Sequence, residues 1–228
     1  MRTPAAVIAL GLALTGCTTG PGYRQARDIA LTANPSAVVA TELAFARAAQ
    51  EKGQWTAFRE FAAKDAVMFV PEPVNARDWL RRQANPPQAV RWQPHQVWSS
   101  CDGSLAVTRG AWQRPDGTFG YFTTVWQRQN DRDYRWILDH GDATAAPLPA
   151  PEMIAATSAD CGTMPVAASS LPAFVGGKAQ PFASNYAADA TVRWSYNTTP
   201  DGLREVVVEL WDGADYEIVV EDRIGEGG

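Results

Sequence analysis

The clearest hydrophobic pattern lies in two neighbouring segments, 121–129 and 134–141, which flank a short polar run. In each segment a mainly aromatic and apolar set recurs at every second residue: Phe122, Thr124, Trp126, and Trp136, Leu138, His140. This period is typical of strands with one buried face. The alternation predicts that Trp136 and His140 face one side of the sheet and Asp139 the other. A slip of one residue in the strand register would exchange the faces of His140 and Asp139.

The preceding residues alternate between helical and strand patterns. Asn34 can cap a helix that ends near Gly53, a second short helix follows, and Asn75 can cap a third. Strand patterns cover 65–70, 89–99 and 104–113, and the turns between the later strands contain Asp-Gly pairs. The order predicts an α+β domain over residues 35–141, with three N-terminal helices and a cone-like, curved antiparallel sheet.

The composition changes after this domain. Residues 142–181 are rich in Ala, Pro, Ser, Thr and Gly and are predicted to be a linker. Residues 182–228 contain three alternating segments, at 191–196, 205–211 and 216–221, which predict a small three-stranded meander. Because such a meander has one apolar face, it is expected to pack on the first domain or on a partner chain.

The N-terminus has the pattern of a bacterial lipoprotein leader. One positive charge precedes a short apolar run that ends in Leu14-Thr15-Gly16-Cys17, a sequence that resembles a lipobox. Residues 1–16 are therefore interpreted as a signal peptide, Cys17 as the lipidated residue and 17–34 as a tether. Thr18, by the same resemblance, favours the outer membrane, with the protein in the periplasm of the cell envelope. The alternative is an uncleaved signal with an unrelated cysteine.

Charge and residue counts exclude several function classes. A net charge of -5 argues against nucleic acid as a partner, since phosphate binding needs excess basic residues. With two histidines and no Cys-x-x-Cys motif, no metal site is predicted. No phosphate-binding glycine loop or nucleophile elbow occurs, and no cofactor is predicted. The nine tryptophans fit either a core of large rings or a pocket lined with them.

Two segments, ELAFARAAQEKGQWTAFREFAAKDAVMFVP at 42–71 and YRWILDHG at 134–141, resemble the nuclear transport factor 2-like superfamily. This is the fold of ketosteroid isomerases and polyketide cyclases. The resemblance implies three helices packed in the concave face of a curved sheet over about residues 35–141. Its members include isomerases, dehydratases, cyclases and non-enzymatic binding modules, so the fold alone does not define an activity. The aspartate base and tyrosine donor of ketosteroid isomerases have no matching residues here.

The remaining candidates are isolated polar and aromatic residues that the fold could gather. His140 and Asp65 are the candidate acid–base groups, although a strand-end histidine and a turn-capping aspartate are equally ordinary roles. An inward Arg109 would suit an acidic or carbonyl ligand, and an outward one would be a solvated surface residue. The predicted ligand-binding residues are Trp136, Trp126, Tyr121, Thr124 and Arg109.

These candidates leave three functions open. The first is a lipid-anchored module that binds a small apolar or carbonyl ligand, or a protein, without catalysis. The second is an isomerase, dehydratase or hydrolase that uses a pocket histidine or aspartate. The third is a structural subunit that forms a homodimer through the open sheet face. Two titratable side chains that converge in a cavity would favour an enzyme.

Two cysteines remain once Cys17 is set aside. Cys101 lies at a predicted strand turn and Cys161 in the linker. In an oxidising compartment an even pair predicts a disulfide, which would fasten the linker to the first domain. Two free thiols are the alternative.

The lipobox generates a direct prediction. Mature protein is expected to begin at Cys17 and to carry acyl chains there, whereas Cys17→Ser is expected to remain unprocessed or to leave the membrane fraction. Intact-mass spectrometry of both proteins checks this. An unmodified, internal Cys17 in membrane-bound protein would contradict it.

Overall fold

The computed structural model describes residues 32–165 and 180–225. The leader, Cys17 and most of the tether lie outside these ranges. The helices are α1 (Pro35–Lys52), α2 (Gln54–Phe61) and α3 (Ala76–Leu80). The strands are β1 (Ala62–Phe69), β2 (Pro73–Asn75), β3 (Arg91–Ser99), β4 (Leu105–Gln113), β5 (Phe119–Arg128), β6 (Tyr134–Ala143), β7 (Ala155–Ser158), β8 (Phe182–Tyr186), β9 (Val192–Thr198), β10 (Arg204–Trp211) and β11 (Tyr216–Ile224).

Local capping explains where the helices begin and end. The Asn34 side chain accepts a hydrogen bond from the Ala37 amide, and Asn75 does the same for the Asp78 amide at the start of α3. Gly53, with a φ of 99°, separates α1 from α2 in a conformation that favours glycine. Within the described ranges, no helix is long and apolar enough to cross a bilayer.

Seven strands form a curved sheet in the order β2-β1-β6-β5-β4-β3-β7. The neighbours from β3 to β6 are antiparallel, but β1 runs parallel to β6 and β7 runs parallel to β3. The prediction of a purely antiparallel sheet was therefore wrong. Alternation reports which face of a strand is buried and not its direction, and both parallel strands are joined to their partners by long connections.

An irregularity in the β5–β6 pair determines which side chains face each side of the sheet. Val125 pairs with Leu138 and Trp126 pairs with Trp136, so Ile137 is an extra residue in β6. Such a bulge shifts the alternation of the strand by one position. Trp136 and His140 consequently face opposite sides. The expectation that they share a face was wrong, because it assumed unbroken alternation.

The C-terminal sheet has four strands in the order β11-β10-β9-β8, and the prediction of three missed β8. This strand begins with an exposed Phe182 and continues with Ala183, Ser184 and Asn185, which have little intrinsic preference for strands. Its place in the sheet comes from antiparallel pairing with β9, a long-range interaction that short-range patterns do not report.

The seven-stranded sheet is the middle of three layers. One of its faces packs against α1, α2 and α3 through residues such as Phe45, Leu80 and Trp126. Its other face packs against the C-terminal sheet in a second core that includes Leu138, Trp194 and other buried side chains. The face that was predicted to be open for dimerisation is therefore covered by the same chain. A homodimer remains a prediction.

The disulfide between Cys101 and Cys161 is present, as predicted, and lies where the layers meet. The Cys101 amide donates to the Thr191 hydroxyl at 3.0 Å, which ties the β3–β4 turn to the C-terminal sheet. Beside it, the Ala159 amide donates to the Ser99 carbonyl at 3.0 Å. The bond spans 60 positions of sequence and fastens the segment after β7 to this corner.

Candidate functional site

A cavity of about 360 Å³ lies between the helices and the concave face of the seven-stranded sheet. This volume is within the range of small-molecule sites. Its lining combines a group of aromatic and apolar residues with six polar ones. The lining residues are Phe45, Gln54, Phe58, Met68, Phe69, Val90, Trp92, Trp112, Arg114, Phe122, Thr124, Asp139, His140, Gly141, Asp142 and Ala143.

Asp139 is the acidic group in the wall of this cavity. The bulge at Ile137 turns it to the helix side, directly opposite Thr124, whose hydroxyl donates to Asp139 Oδ1 at 2.7 Å. The residue remains partly exposed, and the surface it shows borders the cavity. Burial raises the pKa of Asp139 to about 7, the Thr124 hydrogen bond opposes this rise, and the negative charge of Glu42 adds to it.

Glu42 lies behind the cavity, on the inward side of α1, and is fully buried. Its carboxyl accepts hydrogen bonds from Trp92 Nε1 at 2.7 Å, from Thr108 Oγ1 at 2.6 Å and from Trp126 Nε1 at 3.0 Å. Burial raises the pKa of Glu42, although these three donors each lower it. Of the two indoles that Glu42 holds in place, Trp92 belongs to the cavity wall and Trp126 to the core, so Glu42 positions side chains around the cavity.

Asp222 of β11 is held between the sheets by a separate polar cluster. Arg109 Nη1 donates to both of its oxygens, at 2.7 and 2.6 Å, and His140 Nε2 lies 2.9 Å from Oδ2. The Thr123 hydroxyl donates to the same oxygen at 3.0 Å. Burial alone would raise the pKa of Asp222, but the bonds from His140 and Arg109 outweigh it and lower the pKa to about 2.

The His140 imidazole belongs to this cluster and does not reach the cavity. Its side chain is 0% exposed while the whole residue is 5% exposed, so only its main chain borders the open space. Burial lowers the pKa of His140, the hydrogen bond from its ring to Asp222 opposes this, and neighbouring Arg204 and Arg109 lower the pKa further. The ring is therefore neutral near pH 7, and its Nε2 donates to the ionised Asp222.

The other predicted ligand-binding residues are divided between the two faces. Thr124 lines the cavity. Trp126 and Trp136 are fully buried beneath it, and Trp136 Nε1 donates to the Phe58 carbonyl at 3.2 Å. Tyr121 lies on the opposite face of the sheet, where the Arg109 guanidinium carbon is 4.5 Å from its ring centroid.

Neither Arg109 nor Asp65 contributes to the cavity lining. Arg109 is committed to Asp222, and Asp65 is exposed on β1, beside a surface groove next to α3. Their roles as ligand-binding and acid–base residues remain predictions without geometric support. No cluster of three or more potential metal ligands occurs in residues 32–165 and 180–225.

Sequence reasoning did not identify Glu42 or Asp222, and it placed Asp139 on the face of the sheet opposite the predicted pocket. Glu42 had a readable signal, because it shares a helical face with Val38, Phe45 and Ala49 and is therefore an acid within a buried stripe. The face on which Asp139 lies could not be assigned without knowing the position of the bulge. The burial of Asp222 and its contacts could not be predicted without knowing how the C-terminal sheet packs on the first sheet, which no local pattern specifies.

Comparison with known proteins adds two structural likenesses. No protein-family model matches the chain, and no curated protein matches it. A provisionally assigned ketosteroid isomerase from Parabacteroides distasonis ATCC 8503 aligns with 50% of this chain and 96% of its own, at 15% identity and a TM-score of 0.39. A provisionally assigned aromatic ring hydroxylase from Novosphingobium aromaticivorans DSM aligns with 50% and 91%, at 15% identity and a TM-score of 0.37.

Asp139 generates a prediction on stability and pH. Its folded pKa of about 7 exceeds the reference value of 3.8, so its bound proton stabilises the fold at low pH and is lost as pH rises through about 7. Asp139→Asn keeps an acceptor for Thr124 and carries no charge. Compared with wild type, the variant is expected to have a similar free energy of unfolding near pH 4 and one higher by up to about 4 kcal/mol near pH 8.

Urea unfolding at several pH values measures this difference. Asp65→Asn is the matched control, since the same change falls on an exposed carboxyl, and it is expected to alter stability little at any pH. A loss of stability in Asp139→Asn near pH 8 would contradict the assignment.

His140 generates the complementary prediction. His140→Ala leaves Asp222 buried without one of its donors and is expected to lower the free energy of unfolding by about 1–3 kcal/mol. The stability advantage of wild type over His140→Ala is expected to shrink as pH falls below 6.5, because the unfolded wild-type chain takes up the His140 proton first.

Thermal unfolding between about pH 7 and 5 measures the stability loss of His140→Ala and its pH dependence. His95→Ala, which changes the other histidine of the chain, is the comparison variant. If His140→Ala leaves the melting temperature unchanged and instead abolishes ligand binding, the imidazole acts in the cavity and the account is wrong.

Proposed function

We propose that this protein binds a small, largely apolar molecule in the cavity between its helices and its sheet, with Asp139 as the polar group that orients the ligand. The observation that carries the proposal is the position of the Asp139 carboxyl in an aromatic wall. A buried carboxyl of this kind is costly unless it has a partner or a function.

The surroundings of Asp139 support a ligand-binding role. Within residues 32–165 and 180–225, its one hydrogen bond is from Thr124, whereas Glu42 and Asp222 each have three donor side chains. A carboxyl can accept more than one hydrogen bond, so Asp139 retains capacity for a ligand. The rings of Phe58, Trp92 and the other aromatic lining residues offer a large apolar contact area.

We further propose that this binding domain is held at the bacterial cell envelope by a lipid on Cys17. The support is the lipobox-like sequence and the Cys101–Cys161 disulfide, since disulfides persist in oxidising compartments such as the periplasm. A tether between Cys17 and α1 would leave the domain free of the membrane surface. An outer-membrane location follows from Thr18 by the same resemblance.

An acid–base enzyme, such as an isomerase or a dehydratase, is the second candidate. The observation that favours it is the pKa of Asp139, about 7, which allows the group to accept and return a proton near neutral pH. Such an enzyme would move one proton between positions of the bound molecule, or assist the loss of water from it. Glu42 would not take part directly, because its oxygens are already engaged by Trp92, Thr108 and Trp126.

A cavity-blocking substitution tests ligand binding. Ala143 is an exposed residue at the end of β6 and borders the cavity, so Ala143→Trp adds bulk at its rim. Wild-type protein incubated with envelope extract is expected to retain a small molecule in native mass spectrometry, and the variant is expected to lose most of it.

Ala146→Trp is the matched control, because Ala146 is exposed and is not among the cavity residues. Retention by both variants would show that the ligand lies elsewhere, and absence of any ligand from the wild type would count against the proposal. If the retained molecule is converted to a new product by wild type but not by Asp139→Asn, the protein is the enzyme and not a binding module.

A further inference from the structure

The charges around the cavity are unevenly distributed. Asp139 is the acidic side chain on the helix side of the lining, and the carboxyl of Glu42 lies behind the wall. Asp142 also borders the cavity, but alternation directs its side chain, like that of His140, to the other face of the sheet, where it interacts electrostatically with Tyr121 and Arg204. Within the described part of the chain, the basic lining residue is Arg114, which is exposed and lies with its guanidinium carbon 4.8 Å from the ring centroid of Trp112. The positive charge of Arg114 therefore lies at the exposed edge of the cavity, and among the described residues the interior around Asp139 has no cationic side chain.

The groups that face Asp139 give it no positive partner. Thr124 on β5 offers a neutral hydroxyl, and Glu42 on α1 adds a second negative group. The α2 residues that line the cavity, Gln54 and Phe58, are uncharged, as is Met68 on β1. His140, the next residue on β6, directs its imidazole toward Asp222 on the other side of the sheet.

Aromatic rings complete the environment. Phe45 lies with its ring centroid 4.8 Å from that of Phe58 and 4.8 Å from that of Trp92, and all three rings line the cavity. The faces of aromatic rings are electronegative and attract organic cations, most strongly where water is excluded. A carboxylate among such rings is the arrangement that recognises an ammonium group, and a bound cation would stabilise the ionised form of Asp139 that burial alone disfavours.

We propose that the cavity selects compact organic cations, amines or quaternary ammonium compounds with an apolar body, whose positive charge lies against Asp139 and among the aromatic rings. This inference rests on the proposed ligand-binding function and names the ligand class for that site. The ligand supplies the positive charge that the cavity lacks. Its apolar body occupies the remaining volume between Phe58, Trp92 and Phe122.

Two probes of the same shape separate charge from size. Benzyltrimethylammonium carries a permanent positive charge, and neopentylbenzene is its neutral isostere. Near pH 8 the purified protein is expected to bind the cation about tenfold more tightly, the effect of roughly 1.4 kcal/mol of charge recognition. Tryptophan fluorescence titration gives both dissociation constants, since Trp92 and Trp112 line the cavity.

The pH dependence of the two affinities distinguishes a carboxylate from a carboxylic acid. Protons compete with the cation for Asp139. The affinity of the protein for benzyltrimethylammonium is therefore expected to fall about tenfold or more between pH 8 and 5.5, while its affinity for neopentylbenzene stays constant. Asp139→Asn is expected to bind both probes with similar affinity and without this pH dependence. Asp65→Asn, an exposed control, is expected to behave as wild type.

The outcomes separate this inference from the proposed function. Equal binding of both probes, or tighter cation binding at low pH, would overturn the cation inference while leaving a ligand-binding cavity. Cation binding that survives in Asp139→Asn would also overturn it. Failure of both probes to bind would overturn the inference, whereas the proposed function is decided separately by the ligand retained in wild type and lost in Ala143→Trp.

Discussion

The extra residue Ile137 in β6 is the constraint on which the two polar sites depend. Without this bulge, unbroken alternation would direct His140 toward the helices with Trp136, and Asp139 toward the C-terminal sheet. With it, Asp139 enters the cavity and His140 meets Asp222. One added residue thus assigns two adjacent titratable groups to opposite faces of the same strand.

The two faces give these groups different chemistry. On the C-terminal side, Asp222 is satisfied by Arg109, His140 and Thr123, so its negative charge is stabilised and the cluster joins the two sheets. On the helix side, Asp139 has a hydroxyl partner and, in the part of the chain that the structure describes, no cationic one, so burial favours its protonated form. The donors around Asp222 satisfy its carboxylate, as in a structural contact. The Asp139 carboxyl can still accept further hydrogen bonds, for example from a ligand. Under the proposed function, neighbouring positions on one strand serve stability and ligand binding separately.

Local patterns in the sequence were sufficient for much of the fold. The caps at Asn34 and Asn75 and the strand alternation around Trp126 predict elements that the structure contains, because capping and burial are local effects. The site could not be predicted in the same way. A bulge depends on the pairing of two strands. The partner of His140 is Asp222, which lies 82 positions further along the chain in the other sheet. The candidate acid–base residues, His140 and Asp65, do not place their side chains in the cavity, because the surroundings of each side chain come from long-range packing.

The most direct test of the account is the ionisation of Asp139 in the intact protein. Carboxyl carbon NMR of protein with ¹³C-labelled aspartate can follow its titration, with the signal assigned by its loss in Asp139→Asn. The account predicts a pKa of about 7 for Asp139, well above its reference value of 3.8. A pKa at or below that reference value would show that the carboxyl is already stabilised as an anion, and would contradict its role as the buried, ligand-directed group of the cavity.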